Sequence, residues 1–230
     1  MKISVIGTGT VGQTIASKLA ELGHEVIMGT RNVSRKLAST AKDGYGNPPF
    51  SVWHNTNNNV KLETFAKAAS FGEIIINATH GGSSIEALRL AEPKNLAGKI
   101  LIDIANPLDF SEGIPPGLLP GLNNTNSLGE EIQETFPYTL VVKTLNTMWC
   151  GLMVNPDMIG GGDHINFISG NDTAAKTKVK KLLNQFGWRD ENLIDLGDIR
   201  GARATESLLP IWLRIREVTQ NGAFNFRLVR

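Results

Sequence analysis

Residues 5–13 read VIGTGTVGQ, and this stretch decides the fold of the 230-residue chain. It overlaps the β-branched run KISVIG at residues 2–7, which is typical of a buried parallel strand, and it leads into a helical pattern. Gly7, Gly9 and Gly12 have the spacing at which the first glycine allows a tight turn, the second lets the backbone approach a pyrophosphate, and the third lets helix and strand pack closely. The following helix N-terminus adds amide donors and partial positive charge. The stretch therefore predicts a dinucleotide-binding β–α–β unit.

The rest of the N-terminal region repeats this alternation of strands and helices. Further strands are predicted at residues 25–29, 60–63, 73–79, 99–105 and 139–145, with helices at 63–72 and 84–91 and one that opens with a capping box from Ser127 to Glu130. Such alternation predicts an α/β fold, a Rossmann-type doubly wound parallel sheet whose strand ends meet along one ligand edge.

The pattern changes after residue 147. A strand is expected at 165–170, a helix at 172–187 with Ala175, Val179, Leu182 and Phe186 facing inward, and an edge strand at 192–197. A terminal helix follows, which carries Leu208, Ile211, Trp212 and Ile215 at helical spacing. Pro210 should kink this helix or mark its start. We therefore predict two portions: a Rossmann domain over 1–147, and a small C-terminal α/β portion over 148–230 that completes a substrate cleft.

Composition limits the class of protein. Lys and Arg number 23 and Asp and Glu 22, so the net charge of +1 gives no bulk attraction for nucleic acid or an anionic membrane. The single cysteine, Cys150, cannot form an intrachain disulfide, which fits a reducing compartment. The first residues lack the apolar core of a signal peptide. We expect a cytoplasmic protein without nucleic-acid or membrane partners and without a metal site.

Residues 28–32, MGTRN, end the second predicted strand, where NAD-binding proteins carry an acid that holds the adenosine ribose. This chain has Thr30, Arg31 and Asn32 instead, and Arg35 follows closely. These side chains supply donors, and a guanidinium binds phosphate in bidentate fashion. The replacement favours the 2′-phosphate of NADP(H); the alternative is an ordinary polar surface turn.

The chain also resembles a known family. The stretches VIGTGTVGQTIASKLAELGHEVIMGTRN, IANPLD, SLGEEIQETFP, VVKTLNT and RATESLLP together are similar to the deazaflavin (coenzyme F-420)-dependent NADP oxidoreductases. That group is in turn similar to the cytosolic reductase domain of STEAP-type metalloreductases. The resemblance covers nearly the whole chain. It implies an extended Rossmann sheet, a frequent homodimer, and NADPH along the strand ends with deazaflavin or flavin stacked near the nicotinamide.

The resemblance also implies roles for individual residues. The glycine loop would hold the pyrophosphate and the GTRN segment the 2′-phosphate, while three later strand ends would line the nicotinamide. The implied cofactor-binding residues are Gly7, Thr8, Gly9, Thr10, Val11, Gly12, Thr30, Arg31, Asn32, Arg35, Ala78, Thr79, His80, Asn106, Pro107, Leu145, Asn146 and Thr147. At Asn146 the chain departs from the deazaflavin enzymes, which tend to carry His there.

The expected activity is hydride transfer between NADPH and a flat aromatic acceptor, which needs close stacking more than an acid or base. No catalytic residue is fixed by the sequence; His80 and Asn146 are the candidates near the nicotinamide. The segments 43–59 and 106–126 are rich in Gly, Pro and Asn, and the second is a candidate lid. Two alternatives stay open: an NADPH-binding redox sensor without turnover, and a quinone or carbonyl reductase. Hydroxyacid dehydrogenases and pyrroline carboxylate reductase need a much longer helical C-terminal region.

Overall fold

The computed structural model describes residues 1–42, 46–123 and 125–229. Eight strands form one sheet in the order β10-β9-β8-β5-β4-β1-β2-β3, and β6 and β7 form a separate antiparallel pair. The strands are β1 Lys2–Ile6, β2 Glu25–Thr30, β3 Lys61–Thr64, β4 Ile74–Asn77, β5 Ile100–Asp103, β6 Leu108–Asp109, β7 Gly117–Leu118, β8 Leu140–Thr144, β9 Asn166–Ser169 and β10 Leu193–Asp195. The six strands from β8 to β3 in this order are parallel.

Helices cover both faces of the sheet. They are α1 Thr10–Glu21, α2 Val33–Ala38, α3 Phe50–Thr56, α4 Phe65–Phe71, α5 Ser84–Leu90, α6 Pro93–Leu96, α7 Leu128–Thr135, α8 Cys150–Val154, α9 Thr173–Gln185 and α10 Gly201–Thr219. Alternate residues of a strand enter different hydrophobic clusters, as Ile100 and Ile102 do on one face and Leu101 on the other. The predicted doubly wound α/β fold is confirmed.

The C-terminal portion extends the same sheet. Strand β9 pairs with β8 in antiparallel fashion, and β10 pairs with β9 in parallel fashion at the edge. Helix α9 buries Ala175, Val179 and Leu182 against the sheet, and the predicted inward face of this helix is thus confirmed. The division of the chain at residue 147 stays a prediction.

The terminal helix departs from the sequence pattern. Helix α10 runs through Pro210, so the proline does not mark its start. Its buried face includes Glu206, Leu209 and Trp212, whereas Ile211 is 52% exposed. The apolar spacing alone does not reveal this face, because a carboxylate occupies a buried position of the helix while Ile211 is exposed.

The two Gly-, Pro- and Asn-rich segments contain regular structure. Segment 43–59 includes helix α3, and segment 106–126 includes the β6–β7 pair. Residues 43–45 and Asn124, which belong to these segments, lie outside the described residues. The lid role of the second segment stays a prediction. Within the described ranges, no helix is long and apolar enough to cross a bilayer.

Ser127 and Glu130 form the predicted capping pair at the start of α7, and their second hydrogen bond joins the two side chains. Ser127 Oγ accepts from the Glu130 amide at 3.2 Å and donates to Glu130 Oε2 at 2.7 Å. A Ser127→Ala substitution should lower the free energy of unfolding by about 1 kcal/mol, because the helix loses its side-chain cap. Urea denaturation measures this loss. Ser207→Ala, at an exposed serine of α10, is the control, and an equal loss in both variants would contradict the capping role.

Candidate functional site

A cleft of about 220 Å³ opens at the carboxyl edge of the sheet. It brings together the glycine loop after β1, the end of β2, the end of β4 and the start of α5. The lining residues are Gly7, Thr8, Gly9, Gly29, Thr30, Arg31, Phe65, Ala78, Thr79, His80, Ser83, Glu86 and Ala87. The cleft therefore unites residues that the sequence separates by up to 80 positions.

At two positions of the loop, only glycine fits the surrounding protein backbone. Gly7 has φ of +119°, and a Cβ there would lie 2.4 Å from the Ala78 carbonyl oxygen. A Cβ on Gly12 would lie 2.3 Å from the Gly7 carbonyl oxygen. These contacts confirm the tight turn and the close helix–strand packing expected from the sequence.

Gly9 is different. Its φ of −78° and ψ of 179° suit any residue, and a Cβ there would meet nothing within 4 Å. The position is exposed and faces the cleft directly before helix α1. Packing gives no reason for a glycine here, whereas a ligand that approaches the backbone closely does. The loop fits a dinucleotide pyrophosphate.

The GTRN segment lies at the far end of the cleft. Thr30 is buried at the end of β2, and Arg31 is exposed and lines the cleft. Asn32 caps α2, because its Oδ1 accepts from the Arg35 amide at 2.9 Å. Arg35 is exposed on α2 outside the cleft lining. Sequence reasoning missed the capping role of Asn32, which an Asn before a helix could have indicated.

The opposite end of the cleft contains Thr79 and His80. The Thr79 hydroxyl is 2.7 Å from Asn77 Oδ1 and 2.8 Å from the Ser84 hydroxyl, so this turn after β4 is held by side chains. His80 is exposed, and its ring centroid lies 5.8 Å from that of Phe110. The imidazole therefore stands between the cleft and the β6–β7 segment.

The ends of β5 and β8 are joined by a pair of amides. Asn106 Nδ2 donates to the Asn146 carbonyl at 2.8 Å, and Asn146 Nδ2 donates to Asn106 Oδ1 at 2.9 Å. Asn146 is only 2% exposed. Leu145 has φ of +61°, a conformation that costs energy for a branched residue and often occurs at functional sites.

Several predicted residues lie outside the cleft lining. Thr10, Val11 and Gly12 form the first turn of α1 behind the glycine loop. Pro107, Leu145, Asn146 and Thr147 are buried at the neighbouring strand ends, where Asn106 is half-buried. The structure brings Asn106 and Asn146 together but not into direct contact with the cleft.

A buried charged cluster under these strand ends was not anticipated. Lys143 Nζ lies 2.8 Å from Asp103 Oδ2 and 2.8 Å from Glu206 Oε1, and all three side chains are at most 1% exposed. Burial raises the pKa of Glu206. Burial lowers the pKa of Lys143 and the two carboxylates raise it, with a net upward shift. The signal in the sequence was a lysine inside the apolar run VVKTL.

A second concavity of about 270 Å³ lies between the β6–β7 segment and helix α10. Its lining residues are Leu108, Phe110, Ile114, Pro115, Pro116, Leu213, Arg216, Glu217 and Gln220. Phe110 belongs to this groove and its ring lies 5.8 Å from that of His80, so the groove and the cleft adjoin at this pair of rings. Trp212 does not line it, because its ring is buried and stacks on Phe224 at 5.3 Å.

Comparison with known proteins agrees with this arrangement. Residues 2–107 match the family model described as NADP oxidoreductase, coenzyme F420-dependent. A candidate F420-dependent NADP-reductase from Arthrobacter sp. FB24 is 54% identical over the whole of both chains, and its crystal structure superposes with a TM-score of 0.93. The chain belongs to the coenzyme F420-dependent NADP oxidoreductase family. The resemblance inferred from the sequence is confirmed.

Two curated proteins are also similar to this chain. Metalloreductase STEAP3 of Rattus norvegicus is 28% identical over 218 residues, which are 92% of this chain and 38% of that protein. F420-dependent NADP reductase of Methanothermobacter marburgensis is 31% identical over 114 residues, 49% of this chain and 48% of that protein. The chain therefore spans less than half the length of these relatives.

Proposed function

We propose that this family member transfers hydride between NADP(H) and a flat aromatic acceptor, a deazaflavin or a flavin. One observation carries the proposal: a single cleft places an obstruction-free glycine at a helix N-terminus, an arginine where NAD-binding folds carry an acid, and a histidine at the opposite end. These positions match the diphosphate, the 2′-phosphate and the nicotinamide end of an extended NADP(H).

The residues of the chain supply binding and orientation. The loop from Gly7 to Gly12 and the amides that open α1 would hold the pyrophosphate. Thr30 and Arg31 would hold the 2′-phosphate, with Asn32 and Arg35 beside them. Ala78, Thr79 and His80, with the strand ends at Asn106 and Asn146, would bound the nicotinamide, which supplies the hydride when the cofactor is bound.

The acceptor is assigned to the groove that follows His80. Phe110, Ile114 and Leu213 give the groove apolar walls, and Arg216 offers a cation for an anionic substituent. A stacked ring suits such a groove because it requires proximity and exclusion of water more than proton transfer. The chain would act as a homodimer, which stays a prediction.

The test is stopped-flow NADPH oxidation against deazaflavin, FMN, FAD, quinones and small aldehydes. Reduction of the deazaflavin or a flavin is expected. Reduction of quinones, aldehydes or ketones without the flat flavin-type acceptors would contradict the proposal and make the chain a quinone or carbonyl reductase. Tight NADPH binding without any turnover would favour the redox-sensor alternative.

His80→Ala should lower turnover of the acceptor by about three- to ten-fold, the value of one hydrogen bond, and weaken NADPH binding by a smaller factor. The reason is that His80 lies at the end of the cleft away from Arg31 and beside Phe110. His24→Ala is a matched control, since His24 contacts Met1 and Gln185 at the amino-terminal ends of the strands, away from the cleft. Equal losses of turnover in both variants, or a loss of NADPH affinity by the His80 variant as large as its loss of turnover, would contradict the assignment.

A further inference from the structure

The buried cluster of Asp103, Lys143 and Glu206 joins three elements of the fold. Asp103 ends β5, Lys143 lies in β8 and Glu206 lies in α10. Because the three side chains are almost fully buried, water screens their field poorly.

The hydrogen-bond partners of Asp103 show its charge state. Asp103 Oδ1 accepts from Asn77 Nδ2 at 2.8 Å and from the Ala105 amide at 3.2 Å, and Oδ2 accepts from Lys143 at 2.8 Å. All of these partners donate. The carboxylate is therefore satisfied in its ionised form.

Glu206 is surrounded in the same way. Its Oε2 accepts from the Leu128 amide at 2.8 Å, and its Oε1 accepts from the Gly129 amide at 3.1 Å and contacts Lys143. Two carboxylates thus share one ammonium, which leaves one excess negative charge. The neighbouring charged groups of α7 and α10, Glu130 and Arg203, pair with each other and add no net charge.

This excess charge lies directly under the ligand edge of the sheet. Asn77, Asp103 and Lys143 occupy one register row across β4, β5 and β8. Lys143 also donates to the Ala105 carbonyl, and Ala105 directly precedes Asn106. The cluster therefore underlies the strand ends that, in the proposed function, bound the nicotinamide.

We propose that this anionic cluster favours the oxidised nicotinamide over the reduced one, an inference that rests on the proposed function. The ring carries a positive charge in NADP⁺ and none in NADPH, so a buried negative charge attracts only the oxidised form. By the same field, the cluster stabilises the charge that develops when a hydride, one proton with two electrons, passes to the acceptor. Asp103, Lys143 and Glu206 act through this field and touch no reacting atom.

The test uses Glu206→Gln, which keeps the shape and removes one charge. The dissociation constant of NADP⁺ should rise about ten-fold relative to that of NADPH, as expected for the loss of one poorly screened charge in a protein interior. Adenosine 2′,5′-bisphosphate, which lacks the nicotinamide, should bind as before. Asp195→Asn is the matched control. It removes a partly exposed carboxylate on the edge strand β10, where Asp195 forms an ion pair with Lys176 of α9.

The outcomes separate this inference from the proposed function. Equal weakening of all three ligands means that Glu206 has a structural role only and overturns the inference. An unchanged NADP⁺ to NADPH ratio in a variant that still oxidises NADPH overturns the inference and leaves the proposed function intact. Failure of the unaltered protein to bind any of the three ligands overturns both.

A second measurement covers variants that do not fold. In the unaltered protein, the NADP⁺ dissociation constant divided by that of NADPH should rise as the pH falls and Glu206 gains a proton. Burial raises the pKa of Glu206, so this rise should begin above the usual range of a glutamate. Titration of the 2′-phosphate is common to both ligands and cancels in the ratio, and repeating the measurement in His80→Ala removes the imidazole that the proposed function places at the nicotinamide. A ratio that stays flat down to the acid limit of the folded state overturns the inference.

Discussion

A Gly9→Val variant is expected to fold like the parent and to bind NADPH at least about a hundred-fold more weakly, a loss of about 2.7 kcal/mol or more. The backbone of Gly9 lies in the extended region, and a Cβ there meets no protein atom within 4 Å. The added side chain would occupy only the space that the pyrophosphate is proposed to use. Thermal unfolding and a fluorescence titration with NADPH measure the two effects.

The neighbouring glycine provides the contrast for this experiment. Gly12→Ala places a Cβ 2.3 Å from the Gly7 carbonyl oxygen, so this variant should lose stability as well as binding. A Gly9→Ala variant should fall between the parent and Gly9→Val in affinity while remaining folded. Unchanged NADPH affinity in folded Gly9→Val would show that the glycine loop is only a turn.

The sheet and the glycine loop could be predicted because local patterns specify them. The alternation of apolar β-branched runs with amphipathic helices places every parallel strand, and Gly7 and Gly12 reveal their roles by spacing alone. The capping box at Ser127 is equally local. Each of these features has a sequence signature that lies within a few positions of the chain.

Features that join distant positions were harder to predict. Lys143 meets Glu206 across 63 positions of sequence, and nothing in the run VVKTL indicates which carboxylate it meets. The burial of Glu206 in α10 could not be predicted for the same reason, since its partner Lys143 lies on another element. The Asn106–Asn146 pair likewise depends on the adjacency of β5 and β8.

The second large expected effect concerns Arg31. Arg31→Ala should weaken NADPH about ten- to a hundred-fold and leave NADH unchanged, because a hydrogen bond to a charged group contributes about 1.5–3 kcal/mol. The Arg31 guanidinium lines the cleft directly after β2. The last residue of that strand is Thr30, and not an acid that would repel a phosphate. Titrations of both cofactors against parent and variant measure the effect.

Charge and geometry at Arg31 can then be separated. Arg31→Lys keeps the charge and loses the planar fork, so its affinity for NADPH should fall between those of the parent and the alanine variant. The preference of the parent for NADPH over NADH should also weaken below a pH of about 6, where a phosphate monoester loses its second charge while the guanidinium stays ionised. Equal losses of NADPH and NADH affinity in Arg31→Ala, or a parent that binds NADH more tightly, would contradict recognition of the 2′-phosphate and return the segment to an ordinary surface turn.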